Sequence, residues 1–177
     1  MSKVKVATTW LDGCSGCHMS LLDMDERLLE LADQIELVYS PLVDHKTFPD
    51  AVDVTLVEGA VSSSDDLEKI LHIRAHTRLL VSLGDCAVTG NVPSLRNPVG
   101  VQPILERVFL ADDLDTPRIP TESVPALLPV VRPVHAVVKV DVYIPGCPPS
   151  AATIEYVLRE LLAGRTPDVS AITRFGA

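Results

Sequence analysis

Residues 3–10 begin with alternating polar and apolar positions and are rich in β-formers, which predicts a strand. A glycine-bearing turn follows over residues 11–17. Ser20 and Asp23 stand at N-cap and N3 spacing, predicting a helix that starts near Ser20 and buries Leu21, Met24, Leu28 and Leu31 or Ala32. Short strands are expected at residues 35–39, 52–57, 78–83 and 139–144. Between the third and fourth of the five strands, the Ser62–Asp66 cluster caps a helix with Leu67, Ile70 and Leu71 on its buried face. A last helix carries Ile154, Val157, Leu158, Leu161 and Leu162, with Gly164 where a C-terminal cap belongs.

Strand–helix alternation implies right-handed crossovers and helices on both faces of a sheet. The fold expected is α/β, a flavodoxin-like, doubly wound, mostly parallel five-stranded sheet, with residues 1–177 forming a single domain. Residues 91–136 break the pattern. Eight of the 14 prolines fall between Pro93 and Pro133, which predicts an irregular insertion with one short helix around residues 104–110. Inside it, the charge-free apolar run 124–131 contains prolines that suit neither a buried strand nor a helix, so an exposed apolar patch and an obligate partner are expected.

Composition narrows the function classes. The net charge is -9 and the aromatic share 4%, which argues against nucleic-acid binding, since a phosphate backbone would be repelled and stacking platforms are few. A mean hydropathy of +0.26 excludes a disordered chain. The first residues carry no secretory or twin-arginine pattern, and no run reaches the length of a membrane span, so the cytoplasm is the expected compartment. There, four cysteines read as ligands or redox groups in preference to disulfides.

Their placement carries the chemistry. Cys14 and Cys17 follow the first strand, Cys86 follows the strand at 78–83, and Cys147 follows the strand at 139–144. In a parallel sheet these ends share one rim, where open α/β proteins bind their ligands, so the four thiols are predicted to converge. Glycines border them (Gly13, Gly16, Gly84 and Gly146), allowing backbone amides to approach an inorganic core. A thioredoxin-like pair would leave Cys86 and Cys147 unexplained, and scattered core thiols would not share strand ends. An iron–sulfur cluster and a four-cysteine zinc site both satisfy the ligand count, so a zinc-stabilised interaction module stands as the alternative.

Four segments in order, residues 10–20, 57–61, 84–90 and 142–149, resemble the small, electron-transfer subunit of [NiFe] hydrogenases, most of all that of the soluble bidirectional NAD(P)-linked type. The resemblance implies one [4Fe–4S] cluster on Cys14, Cys17, Cys86 and Cys147, proximal to a Ni–Fe centre on a large subunit. It also implies a diaphorase partner bearing FMN, further Fe–S clusters and the NAD site. On this reading no residue of the chain is catalytic. Small subunits of other cytoplasmic [NiFe] hydrogenases, with a deazaflavin or heterodisulfide reductase as acceptor, share the resemblance. The related subunit of complex I has adjacent cysteines, whereas Ser15 and Gly16 separate the pair here. Gly13 occupies the place of a glutamate that relays protons in many relatives. Glu58, at the end of the central strand, is the candidate proton relay in its stead; the alternative is a solvated acid. His18 and Trp10 flank the ligand turn, while His45, His72, His76 and His135 have no ligand-like spacing. Asp112, Asp113 and Asp115 read as a solvated loop.

Overall fold

The computed structural model describes residues 3–112 and 114–176, so Asp113 lies outside the described residues. The central sheet has five parallel strands: β1 (Val4–Trp10), β2 (Ile35–Tyr39), β3 (Val52–Glu58), β5 (Thr77–Leu83) and β7 (Val142–Ile144). Their spatial order is β2-β1-β3-β5-β7, with all neighbours parallel. This is the flavodoxin-like order, and its reversal point lies between β1 and β3. β3 is buried on both faces because its residues alternate. Val54 and Leu56 join Met24, Leu31, Ile154 and Val157 on one side, while Val57 joins Ile70, Ile73 and Leu80 on the other.

The first helix departs from expectation. α1 (Gly16–Leu22) starts at the cysteine turn, and Ser20 lies inside it, donating its hydroxyl to the Pro149 carbonyl at 2.5 Å. The cap-like spacing of Ser20 and Asp23 is therefore spent on a tertiary contact. The chain breaks at Asp25 (φ 49°) and resumes as α2 (Glu26–Leu31), yet Met24 and Leu31 are fully buried as the stripe predicted. α3 (Ser64–Ala75) begins with a capping box between Ser63 and Asp66. Its buried face is Ile70 and Ile73, and Leu71 is half exposed, a correction to the expected stripe. α6 (Ala151–Leu162) forms as read, followed by Gly164 at positive φ.

The last central strand covers only Val142–Ile144, shorter than expected. At its start the Asp141 carboxylate, instead of a backbone carbonyl, accepts the Leu80 N–H at 2.9 Å, so a side chain replaces a rung of the ladder. The insertion is more ordered than its prolines imply. It contains a 3-10 turn over Val92–Arg96, helix α5 (Val101–Phe109), and strand β6 (Leu127–Arg132) antiparallel to β4 (Val61–Ser63). Residues 127–132 do form a strand, but a mostly exposed one in which only Val131 is buried, so it is not the buried strand the prolines argued against. Pro129 is tolerated because the β4–β6 register is interrupted between Val61 and Ser63, and because side chains supply missing partners. Asn97 exchanges two hydrogen bonds with the Val131 backbone, at 2.8 and 3.0 Å. Arg96 bonds the Leu128 carbonyl at 2.9 Å. Leu127 and Val130 remain exposed, in line with the predicted patch.

Candidate metal centre

The turns after β1 and β3 are stitched together across the reversal point. Leu11 N–H donates to the Glu58 carbonyl at 2.8 Å, and Asp12 and Ala60 exchange backbone bonds of 3.1 and 2.7 Å. Gly59 (φ +88°) is needed here, since a Cβ would fall 2.7 Å from the Leu11 carbonyl carbon. Ser15 then adopts φ 63°, ψ 13°, and Cys17 enters the first turn of α1.

The free N–H groups of that turn are taken by Glu58, which is only 2% exposed. Its carboxylate accepts from Cys17 N at 3.2 Å and from His18 N at 3.0 Å. His18 Nδ1 forms a short hydrogen bond with the same carboxylate, and His18 Nε2 lies 3.0 Å from Thr8 Oγ1. The Thr8 hydroxyl donates to Ser40 Oγ at 2.8 Å. Trp10 packs edge-on against the His18 ring at 5.3 Å. Glu58 is therefore a buried cap on α1, not a solvated strand-end acid.

The remaining ligand turns meet at Gly84 and Asp85. Gly84 opens α4 (Gly84–Thr89) at φ +80°, and a Cβ there would sit 2.2 Å from Cys17 Sγ and 3.5 Å from the Gly146 carbonyl. Asp85, 5% exposed, gives its N–H to the Gly146 carbonyl (2.9 Å) and accepts Gly146 N–H on Oδ1 (2.7 Å) and Gly176 N–H on Oδ2 (2.7 Å). One carboxylate thus binds the third ligand turn to the fourth. Asn91 Nδ2 donates to Cys147 Sγ at 3.5 Å.

The thiols sense one another. Burial pushes the Cys17 thiol far above its usual range, and Glu58, Cys86, Cys14 and Cys147 push it further. Burial also pushes Cys86 up to about 11, reinforced by Cys147 and Cys14 and partly offset by the Val92 N–H. A cation placed among these thiols would favour their ionised form. Among the described residues no group of three or more His, Cys, Asp or Glu side chains is arranged to hold a single metal ion.

The structure brings together Cys14, Cys17, Cys86, Cys147 and Glu58, all five proposed from sequence. His45 is exposed; His72 stacks near His76 and Phe48, and His135 lies beside Tyr143. Sequence reasoning missed Asp85 and Asn91, whose signal was their position directly before Cys86 and in the Gly90-Asn91 turn after its helix.

The family described as NADH ubiquinone oxidoreductase, 20 Kd subunit, matches residues 14–161. The chain is 41% identical over 179 residues to the delta subunit of the NAD-reducing hydrogenase HoxS of Cupriavidus necator, covering 98% of this chain and 86% of that one. It is 39% identical to a subunit of the F420-non-reducing hydrogenase of Methanocaldococcus jannaschii, covering 93% of this chain but only 58% of the relative. A crystal structure of an NAD+-reducing [NiFe]-hydrogenase in the H2-reduced state superposes with a TM-score of 0.94 at 40% identity, covering 98% of this chain and 99% of that chain. Among the described residues no helix is long and apolar enough to cross a membrane.

Proposed function

The chain belongs to the family of the NADH ubiquinone oxidoreductase 20 Kd subunit, as the small subunit of a [NiFe] hydrogenase, and from that premise we propose how it serves a NAD-reducing enzyme. The H2-splitting Ni–Fe centre resides on a separate large subunit. Cys14, Cys17, Cys86 and Cys147 would hold one [4Fe–4S] cluster, the one proximal to that centre. When bound, the cluster supplies a one-electron acceptor and donor between the large subunit and a diaphorase that carries FMN, further Fe–S clusters and NAD. Residues 1–177 act as a single flavodoxin-like iron–sulfur domain in the cytoplasm.

The chain's own residues position and insulate. Gly84 leaves room for the Cys17 sulfur, and Asp85 keeps the Cys86 and Cys147 turns at fixed separation. Glu58 orients the first turn of α1 through two N–H groups. It is also the proposed proton relay, hydrogen-bonded to His18 Nδ1, with His18 linked onward to Thr8 and Ser40.

The delivery of four thiols to one rim of the parallel sheet by the ends of β1, β5 and β7 supports the cluster most directly. The test is serine replacement of each cysteine, with iron and acid-labile sulfide measured on the co-purified complex. Each replacement should lower both; near-stoichiometric zinc without iron or sulfide in the unmutated complex refutes the cluster. NAD is favoured over another acceptor by the greater coverage of the C. necator subunit, 86% against 58% for the M. jannaschii relative.

A further inference from the structure

Asn91 holds a backbone conformation that L-residues seldom adopt, φ 28° and ψ −127°. Gly90 before it is left-handed, ending α4. Local bonds then lock the Asn91 backbone: its N–H donates to Thr89 Oγ1 at 3.4 Å, and its carbonyl accepts the Ser94 N–H at 3.1 Å and the Ser94 hydroxyl at 2.7 Å. Glycine would occupy this conformation without strain, so what an asparagine adds is its side chain. That side chain reaches the Cys147 sulfur at 3.5 Å, across 56 residues of sequence.

We propose that Asn91 raises the reduction potential of the cluster by donating its side-chain amide to the Cys147 sulfur from the strained turn that opens the 91–136 insertion. The inference rests on the cluster reading above. One-electron reduction adds negative charge to a sulfur-rich core, and an N–H dipole aimed at a ligand sulfur stabilises the more negative state. A movement of the Asn91 turn would therefore also move the potential.

The test uses the whole purified hydrogenase complex, with the cluster's midpoint read by an EPR-monitored redox titration instead of by turnover. Asn91→Gly removes the donor while accepting the backbone conformation. Asn91→Asp keeps the side-chain size, replaces the donor with a charged acceptor, and keeps the measurement available if the glycine variant loads poorly. At the wild-type midpoint, Asn91→Gly should lower the reduced-to-oxidised ratio by about tenfold, equivalent to about 59 mV for one electron. Asn91→Asp should lower it further. Wild-type midpoints in loaded variants overturn the role of Asn91 and leave the cluster reading standing. A wild-type complex with no iron–sulfur EPR signal in either redox state, and no iron or sulfide by analysis, overturns both.

Discussion

At the scale of single residues, Gly84 and Glu58 are the least replaceable positions around the thiols. Alanine at Gly84 meets a positive φ and a sulfur 2.2 Å from its Cβ, and neither can be relieved without moving Cys17. Gly84→Ala should cost about 1–3 kcal/mol of backbone strain and sharply reduce bound iron, measured by metal analysis alongside thermal unfolding of the complex. Glu58→Ala leaves the buried Cys17 and His18 N–H groups and the His18 ring without their acceptor. A loss of about 2–4 kcal/mol is expected, with Glu58→Gln recovering part of it because an amide oxygen still accepts; full stability in Glu58→Ala would contradict the capping role. The convergence of the four cysteines was legible because each follows a strand, a regularity that survives errors of a few residues. The union of His18 with Glu58 was not, since nothing in their surroundings along the chain marks a pair 40 residues apart.

At the scale of elements, sequence periodicity located the central strands and failed where side chains replace backbone partners. β6 is such a case: a proline-bearing run reads as loop, yet Asn97 pairs with Val131 as a neighbouring strand would. Asn97→Ala should destabilise this hairpin by about 1–3 kcal/mol, seen as faster hydrogen exchange over residues 127–132 with the central sheet unchanged. β7 is the second case, shortened where Asp141 accepts the Leu80 N–H and pairs with Arg74 at 2.7 Å. Burial alone would raise the Asp141 carboxyl; the Leu80 N–H and Arg74 outweigh it and hold the pKa below the ordinary value. A carboxyl held below its unfolded value near 3.9 contributes fully above that pH, and its contribution fades as the pH falls through the folded-state value. Asp141→Asn should therefore lower stability by about 1–2 kcal/mol at neutral pH. The gap between wild type and variant should narrow steadily as the pH falls below the ordinary carboxyl value, and a gap that does not narrow in thermal unfolding would show that charge is not the cause.

At the scale of the whole molecule, net charge and exposed apolar surface pull in opposite directions. A net charge of -9 should keep a chain of this size apart from its copies, yet the insertion presents Val92, Leu95, Val99 and Val108 each more than half exposed. α5 has no fully buried residue although one of its faces is strongly apolar, and exposed Val130 on β6 adds to the same insertion. Apolar surface on this scale is characteristic of interfaces that do not open, and the multi-subunit assembly of the family supplies a partner in the large subunit. The patch was legible in outline because prolines and uncharged residues cluster in the insertion; its position was not, because strand β6, which displays part of it, is held by the Asn97 and Arg96 side chains. We predict that the chain produced without its large subunit aggregates, and that co-expression yields a soluble complex. Replacing Leu95 and Val108 together with serine should reduce aggregation of the lone chain while weakening co-purification with the large subunit, read by size-exclusion chromatography. A lone wild-type chain that elutes as a stable, monodisperse monomer would mean that this surface is content in water and that the subunits meet elsewhere.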